Sequence, residues 1–108
     1  MRAFGLLIPI LFALDASGAL AEDVGDPDKG HEFAREVCAV CHAVDADETN
    51  SPHPSAPTFK RIAAEPGMTG TALSVILGNP HREMPDLILA PQELADVISY
   101  ILTLKAKD

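Results

Sequence analysis

The chain has 108 residues, 47% of them hydrophobic, and a formal net charge of −8 at pH 7. That length accommodates one domain, and the acidic balance excludes general nucleic-acid binding, which calls for a basic footprint. Its two cysteines, Cys38 and Cys41, sit too close together for a disulfide between them to restrain the chain much, so a disulfide framework is excluded as well.

The first 21 residues read as a secretory leader. Arg2 precedes an apolar run from Ala3 to Leu14, Asp15 ends the run, and Ala19-Leu20-Ala21 supplies a small-residue cleavage site. The run is too short for a membrane span, which needs roughly 20 apolar residues. Cleavage leaves residues 22–108 as the working domain, with no membrane insertion, exported to the periplasm. The charge of that domain is again −8, because the leader carries one basic and one acidic residue. So small a domain needs a staple to hold a core, such as a metal or a bound cofactor.

The first helix is predicted to open at Asp26-Pro27, where aspartate caps free N–H groups and proline suits the first turn. Phe33, Val37 and Cys41 recur at four-residue spacing, with Ala34 and Cys38 beside them. Gly30, inside this helix, marks either a close contact with another helix or a frayed start. His31, near the helix start, is expected to face solvent.

Cys38-Ala39-Val40-Cys41-His42 closes this segment, and a C-x-x-C-H run is the attachment pattern of a c-type haem. On a helix the three ligating side chains share one face. Each thiol can then form a thioether with a haem vinyl group, and His42 can ligate the iron axially. A zinc site would need a second pair of ligands, and a thioredoxin-type C-x-x-C would need a surrounding βαβ pattern. The sequence offers neither.

Residues 44–57 turn to Asp, Asn, Ser and Pro, and Pro52, Pro54 and Pro57 exclude a regular helix. His53 falls in this loop. A helical turn is predicted over Phe59 to Ala64, ended by Pro66-Gly67. A small helix capped by Thr69 or Thr71 follows and stops at Gly78-Asn79-Pro80. The last helix opens at Pro91 with Glu93 in its first turn and carries an apolar stripe of Leu94, Val97, Ile98, Ile101 and Leu102. No segment alternates as a strand. The expected fold is all-α, three or four helices and loops wrapped around one covalently bound haem.

The second axial ligand is expected from the loop before the last helix, where Met84 precedes Pro85. Met68 and His81 are the alternatives. Met68 stands at a helix start, where packing is its expected role. A His42/His81 pair would give a lower reduction potential than His42/Met84.

Taken together, Gly30 with the C-x-x-C-H run, Ala56-Pro57-Thr58-Phe59, Met84-Pro85 and Asp96-Val97-Ile98-Ser99-Tyr100-Ile101 resemble the class I cytochromes c. These are small exported monohaem electron carriers, and the likeness spans nearly all of residues 26–104. The stretch from Ser51 to Pro57 resembles a subgroup of small bacterial members. The resemblance implies one haem c per chain, held by Cys38 and Cys41, with His42 and Met84 as axial ligands. It also implies a proline carbonyl bonded to the axial imidazole, Pro57 or else Pro52 or Pro54. Gly30 and Tyr100 resemble the place where first and last helices cross. One departure is visible: the family aromatic four residues before the first cysteine is Ala34 here, with Phe33 beside it.

The implied function is one-electron transfer between membrane-bound or periplasmic redox proteins, by a monomer without substrate turnover of its own. The alternatives are the electron-accepting subunit of a dehydrogenase complex and a haem-based ligand sensor.

Overall fold

The computed structural model describes residues 25–79, 84 and 87–106, together with the isolated residue 5. The leader reading, His81 and Pro85 lie outside the described residues. Four α-helices follow in order: α1 Pro27–Val37, α2 Phe59–Ala64, α3 Gly70–Gly78 and α4 Pro91–Thr103. No strand is present among the described residues, and no helix among them is long and apolar enough to cross a membrane.

Each helix starts where its local chemistry supplies acceptors for free N–H groups. Asp26 accepts from the N–H groups of Asp28 and Lys29 at 2.9 and 3.3 Å. Thr58 accepts from Arg61 N–H at 3.1 Å, and Thr69, rather than Thr71, accepts from Ala72 N–H at 3.1 Å. At α4 the arrangement is reversed, with Glu93 Oε1 reaching back to Ala90 N–H at 2.9 Å. Gly67, at φ +76°, takes the left-handed turn between α2 and α3 that a side chain would resist.

The C-x-x-C-H run does not continue α1 as the periodicity predicts. The α-helix ends at Val37, and Cys38–Val40 form a 3-10 turn. The N–H groups of Cys41 and His42 both bond the Cys38 carbonyl, at 3.2 and 2.9 Å. Val37 and Cys38 keep α-like dihedrals, so the tightening is local. Cys41 therefore leaves the α1 stripe of Phe33 and Val37.

Helices α1 and α4 cross at the centre of the molecule. A Cβ on Gly30 would stand 1.9 Å from the Asp96 carbonyl oxygen, so only glycine permits this approach. Gly30 thus marks a close contact and not a frayed end. Asp96, the one buried charged residue described, ties the crossing together. Its Oδ1 accepts from Asp26 N–H at 2.7 Å and from Gln92 Nε2 at 2.9 Å. The backbone N–H of Asp26, and then Gln92, hold its carboxyl below the usual carboxylate range.

The core gathers Ala34, Val44, Phe59, Ala63, Met68, Leu73, Val97, Tyr100 and Ile101. Tyr100 donates its hydroxyl to the Val44 carbonyl at 2.5 Å, which fastens α4 to the segment after the C-x-x-C-H run. The aromatic partner of Tyr100 from α1 is His31, not Phe33. The His31 ring stacks on Tyr100 with centroids 4.4 Å apart and planes 13° apart. His31 is therefore half-buried instead of facing solvent. Phe33, also half-buried, packs against the core without a ring contact to Tyr100 among those observed.

Candidate haem site

A cavity of about 770 Å³ opens between the 3-10 turn, the 44–57 loop and helices α2, α3 and α4. That volume lies within the range of cofactor pockets. Phe59, Leu73, Leu77, Val97 and Ile101 supply apolar wall, while Cys38, Cys41, His42 and Met84 bring sulfur and nitrogen to the same cavity. Cys38, Cys41, His42 and Met84, expected from the sequence as attachment points and ligands, thus line one cavity. Met68 lines the cavity too, but it is buried in the core and its carbonyl accepts from Lys105 Nζ. Met84 is half-buried and belongs to no core cluster among the described residues.

The loop after the motif is folded onto it by backbone bonds. His53 N–H reaches the Cys41 carbonyl at 3.1 Å, and Phe59 N–H reaches the Ala43 carbonyl at 2.9 Å. Ser51 Oγ accepts from Ala43 N–H at 3.0 Å. These ties bring Pro57 to the imidazole: His42 Nδ1 lies 2.6 Å from the Pro57 carbonyl oxygen. Pro52 and Pro54 make no such bond. A carbonyl can only accept, so Nδ1 carries the proton and donates. In the neutral ring this tautomer leaves the lone pair on Nε2, the nitrogen then able to bind a metal. The Phe59 ring, 5.5 Å away and inclined by 53°, backs the imidazole.

Both cysteines are free and half-buried. Burial pushes the Cys38 thiol up to about 11, so it is uncharged at neutral pH. A reactive thiolate pair needs the opposite environment, an electropositive one that lowers the pKa. Among the described residues no group of three or more His, Cys, Asp or Glu side chains is placed to hold a metal ion. The donor set suits an apolar planar group anchored at two sulfurs and ligated at one nitrogen.

The Cytochrome c family model matches residues 27–105. The chain belongs to the cytochrome c family. A curated relative from Synechocystis sp., described as "Cytochrome c-553-like", is 29% identical over 80 residues, covering 74% of this chain and 70% of the relative. No solved structure matches. The matched range takes in all four helices and the cavity. The protein is an all-α electron-carrier cytochrome with covalently bound haem c, and its cavity fits that group in size, apolarity and donors.

What the sequence reading of this cytochrome missed is His31. Its Nε2 lies 2.5 Å from Asp45 Oδ1, which also accepts from Arg35 Nε at 3.2 Å. The hydrogen bond from His31 and then the Arg35 guanidinium hold the Asp45 carboxyl below its usual range against partial desolvation. The only signal in the sequence was indirect: Ala34 occupies the family's aromatic place, so another ring had to meet Tyr100.

Proposed function

We propose that the protein is an exported, periplasmic one-electron carrier, with Cys38 and Cys41 as the thioether anchors and His42 and Met84 as the axial ligands. Bound haem c supplies a reversible ferrous–ferric couple. The observation that carries this reading is the His42–Pro57 bond, because it engages Nδ1 and leaves Nε2 as the free ring nitrogen of a residue lining the same cavity as both cysteines. Pro57 holds the ring against rotation, and Phe59 limits its tilt. The Phe59, Leu73, Val97 and Ile101 side chains give the cavity an apolar wall, which favours a raised potential together with a thioether ligand. With His42 and Met84 both engaged, no open coordination position remains for a substrate, so the chain turns over no substrate by itself.

The carrier reading draws on the family match and on the donor set; export draws on the leader pattern, and monomeric exchange with basic redox partners on the charge of −8. Potentiometric titration of the purified holoprotein is expected to follow a one-electron curve. The reduced protein is expected to ignore carbon monoxide at neutral pH. Carbon monoxide binding under those conditions would point to a ligand sensor, and co-purification with a larger subunit would point to a dehydrogenase complex.

A further inference from the structure

Four rings pack in succession from α1 to the cavity. His31 stacks on Tyr100 at 4.4 Å, Tyr100 tilts against Phe59 at 6.4 Å, and Phe59 tilts against His42 at 5.5 Å. A second connection runs through the chain. His31 bonds Asp45 and Tyr100 bonds the Val44 carbonyl, three and two residues beyond His42. His31 therefore reaches the axial histidine's surroundings by two routes, one of packed rings and one of backbone.

An ionised carboxylate only accepts, so His31 Nε2 carries a proton and donates to Asp45. Adding the second proton turns this bond to a carboxylate into an imidazolium–carboxylate ion pair, which adds Coulomb attraction to the hydrogen bond. The charged groups around the pair are Arg35 on α1 and Asp45, Asp47 and Glu48 in the loop; Glu48 Oε1 accepts Asp45 N–H at 3.2 Å. Tyr100 is the titratable group presented by α4, and desolvation, then the Asp45 charge, push its hydroxyl above the usual range. Three acids against one arginine attract an imidazolium and leave a neutral imidazole without that gain.

We propose that His31 is a positioning residue, a proton-sensitive clasp that holds the segment after His42 against α1 and α4 and so couples its own protonation to the setting of the axial histidine. The clasp is complete while His31 is charged and Asp45 is ionised. It weakens when His31 gives up its charge as pH rises. It is also lost in acid, as pH falls through the lowered titration of Asp45. The proposal rests on the haem-carrier reading for its consequence at His42, though not for the clasp itself.

The test compares the wild-type holoprotein with His31→Phe and Asp45→Asn. The first keeps a ring for Tyr100 and removes the proton and the bond; the second keeps His31 and removes the charge it faces. In wild type the urea-unfolding equilibrium constant is expected to rise about threefold from pH 5.5 to 8.5, relative to either variant. In the ferric state the paramagnetically shifted proton signals of the haem site are expected to move with His31 protonation in wild type, to move less in Asp45→Asn, which keeps the ring route, and to stand still across that range in His31→Phe. A merely structural role for His31 would leave those signals unmoved. The proposal is overturned if His31→Phe keeps the wild-type pH response, or if the haem-site signals ignore the His31 titration. A chain without covalent haem would instead overturn the functional reading, while the unfolding comparison still decides the clasp.

Discussion

Met84 and Met68 both present a thioether to the cavity, and their different settings separate their roles. Met68 is a core residue at 9% exposure, so Met68→Ala is expected to cost about 2–5 kcal/mol of stability while leaving sulfur–iron ligation intact. Met84→Ala is expected to abolish the weak far-red absorption band of the oxidised protein and to change stability less. Loss of the band in the Met68 variant would reverse the assignment. At this scale the sequence was informative wherever chemistry is local. Cys38, Cys41 and His42 declare themselves by spacing. Pro57 was one of three candidate prolines, and only folding of the 44–57 loop brings its carbonyl within 2.6 Å of His42. His31 was unreadable because stacking on Tyr100, 69 positions away, has no local signature.

The crossing of α1 and α4 decides whether the cavity has a back wall. Gly30→Ala would drive a methyl group into the Asp96 backbone, a neighbour that cannot rotate away. The expected loss is about 3 kcal/mol, at the upper end of overpacking, read as a lower urea midpoint of the holoprotein. Asp96 contributes through charge, and the sign follows from its lowered pKa. Its contribution is complete above the unfolded carboxylate value of about 3.9 and is lost as pH falls through the folded value. Asp96→Asn should therefore lower the urea midpoint clearly at pH 7, and the gap from wild type should narrow toward pH 3. A gap that stays constant would contradict the charge-based role. The starts of α1, α3 and α4 were legible from Asp26, from Thr69 or Thr71, and from Pro91, since capping depends on near neighbours; the Thr58 cap of α2 was not read. The break at Val37 was not, because an apolar residue at four-residue spacing fits both a continuing helix and the 3-10 turn that replaces it.

Across the whole molecule, a charge of −8 spread over 108 residues produces a long-range field. Association with a basic redox partner is expected to slow severalfold as ionic strength rises from about 0.01 to 0.15 M, as the screening length falls from about 30 to 8 Å. Stopped-flow electron transfer would show this, and a small uncharged oxidant should give a rate that salt barely changes. Fold class was legible at this scale because helical periodicity and proline-rich loops leave few other architectures. The cavity itself was legible only as a need: a small domain lacking a large core had to close around something. Its position follows from where α2, α3 and α4 leave space beside the 3-10 turn.

The most direct measurement is the pyridine haemochrome of the matured protein after unfolding and acid–acetone extraction. Spectral positions of the c type, with pigment remaining on the polypeptide and absent from a Cys38→Ser, Cys41→Ser double variant, are the predicted result. A well-folded colourless protein, or pigment that leaves with the solvent, would contradict the account.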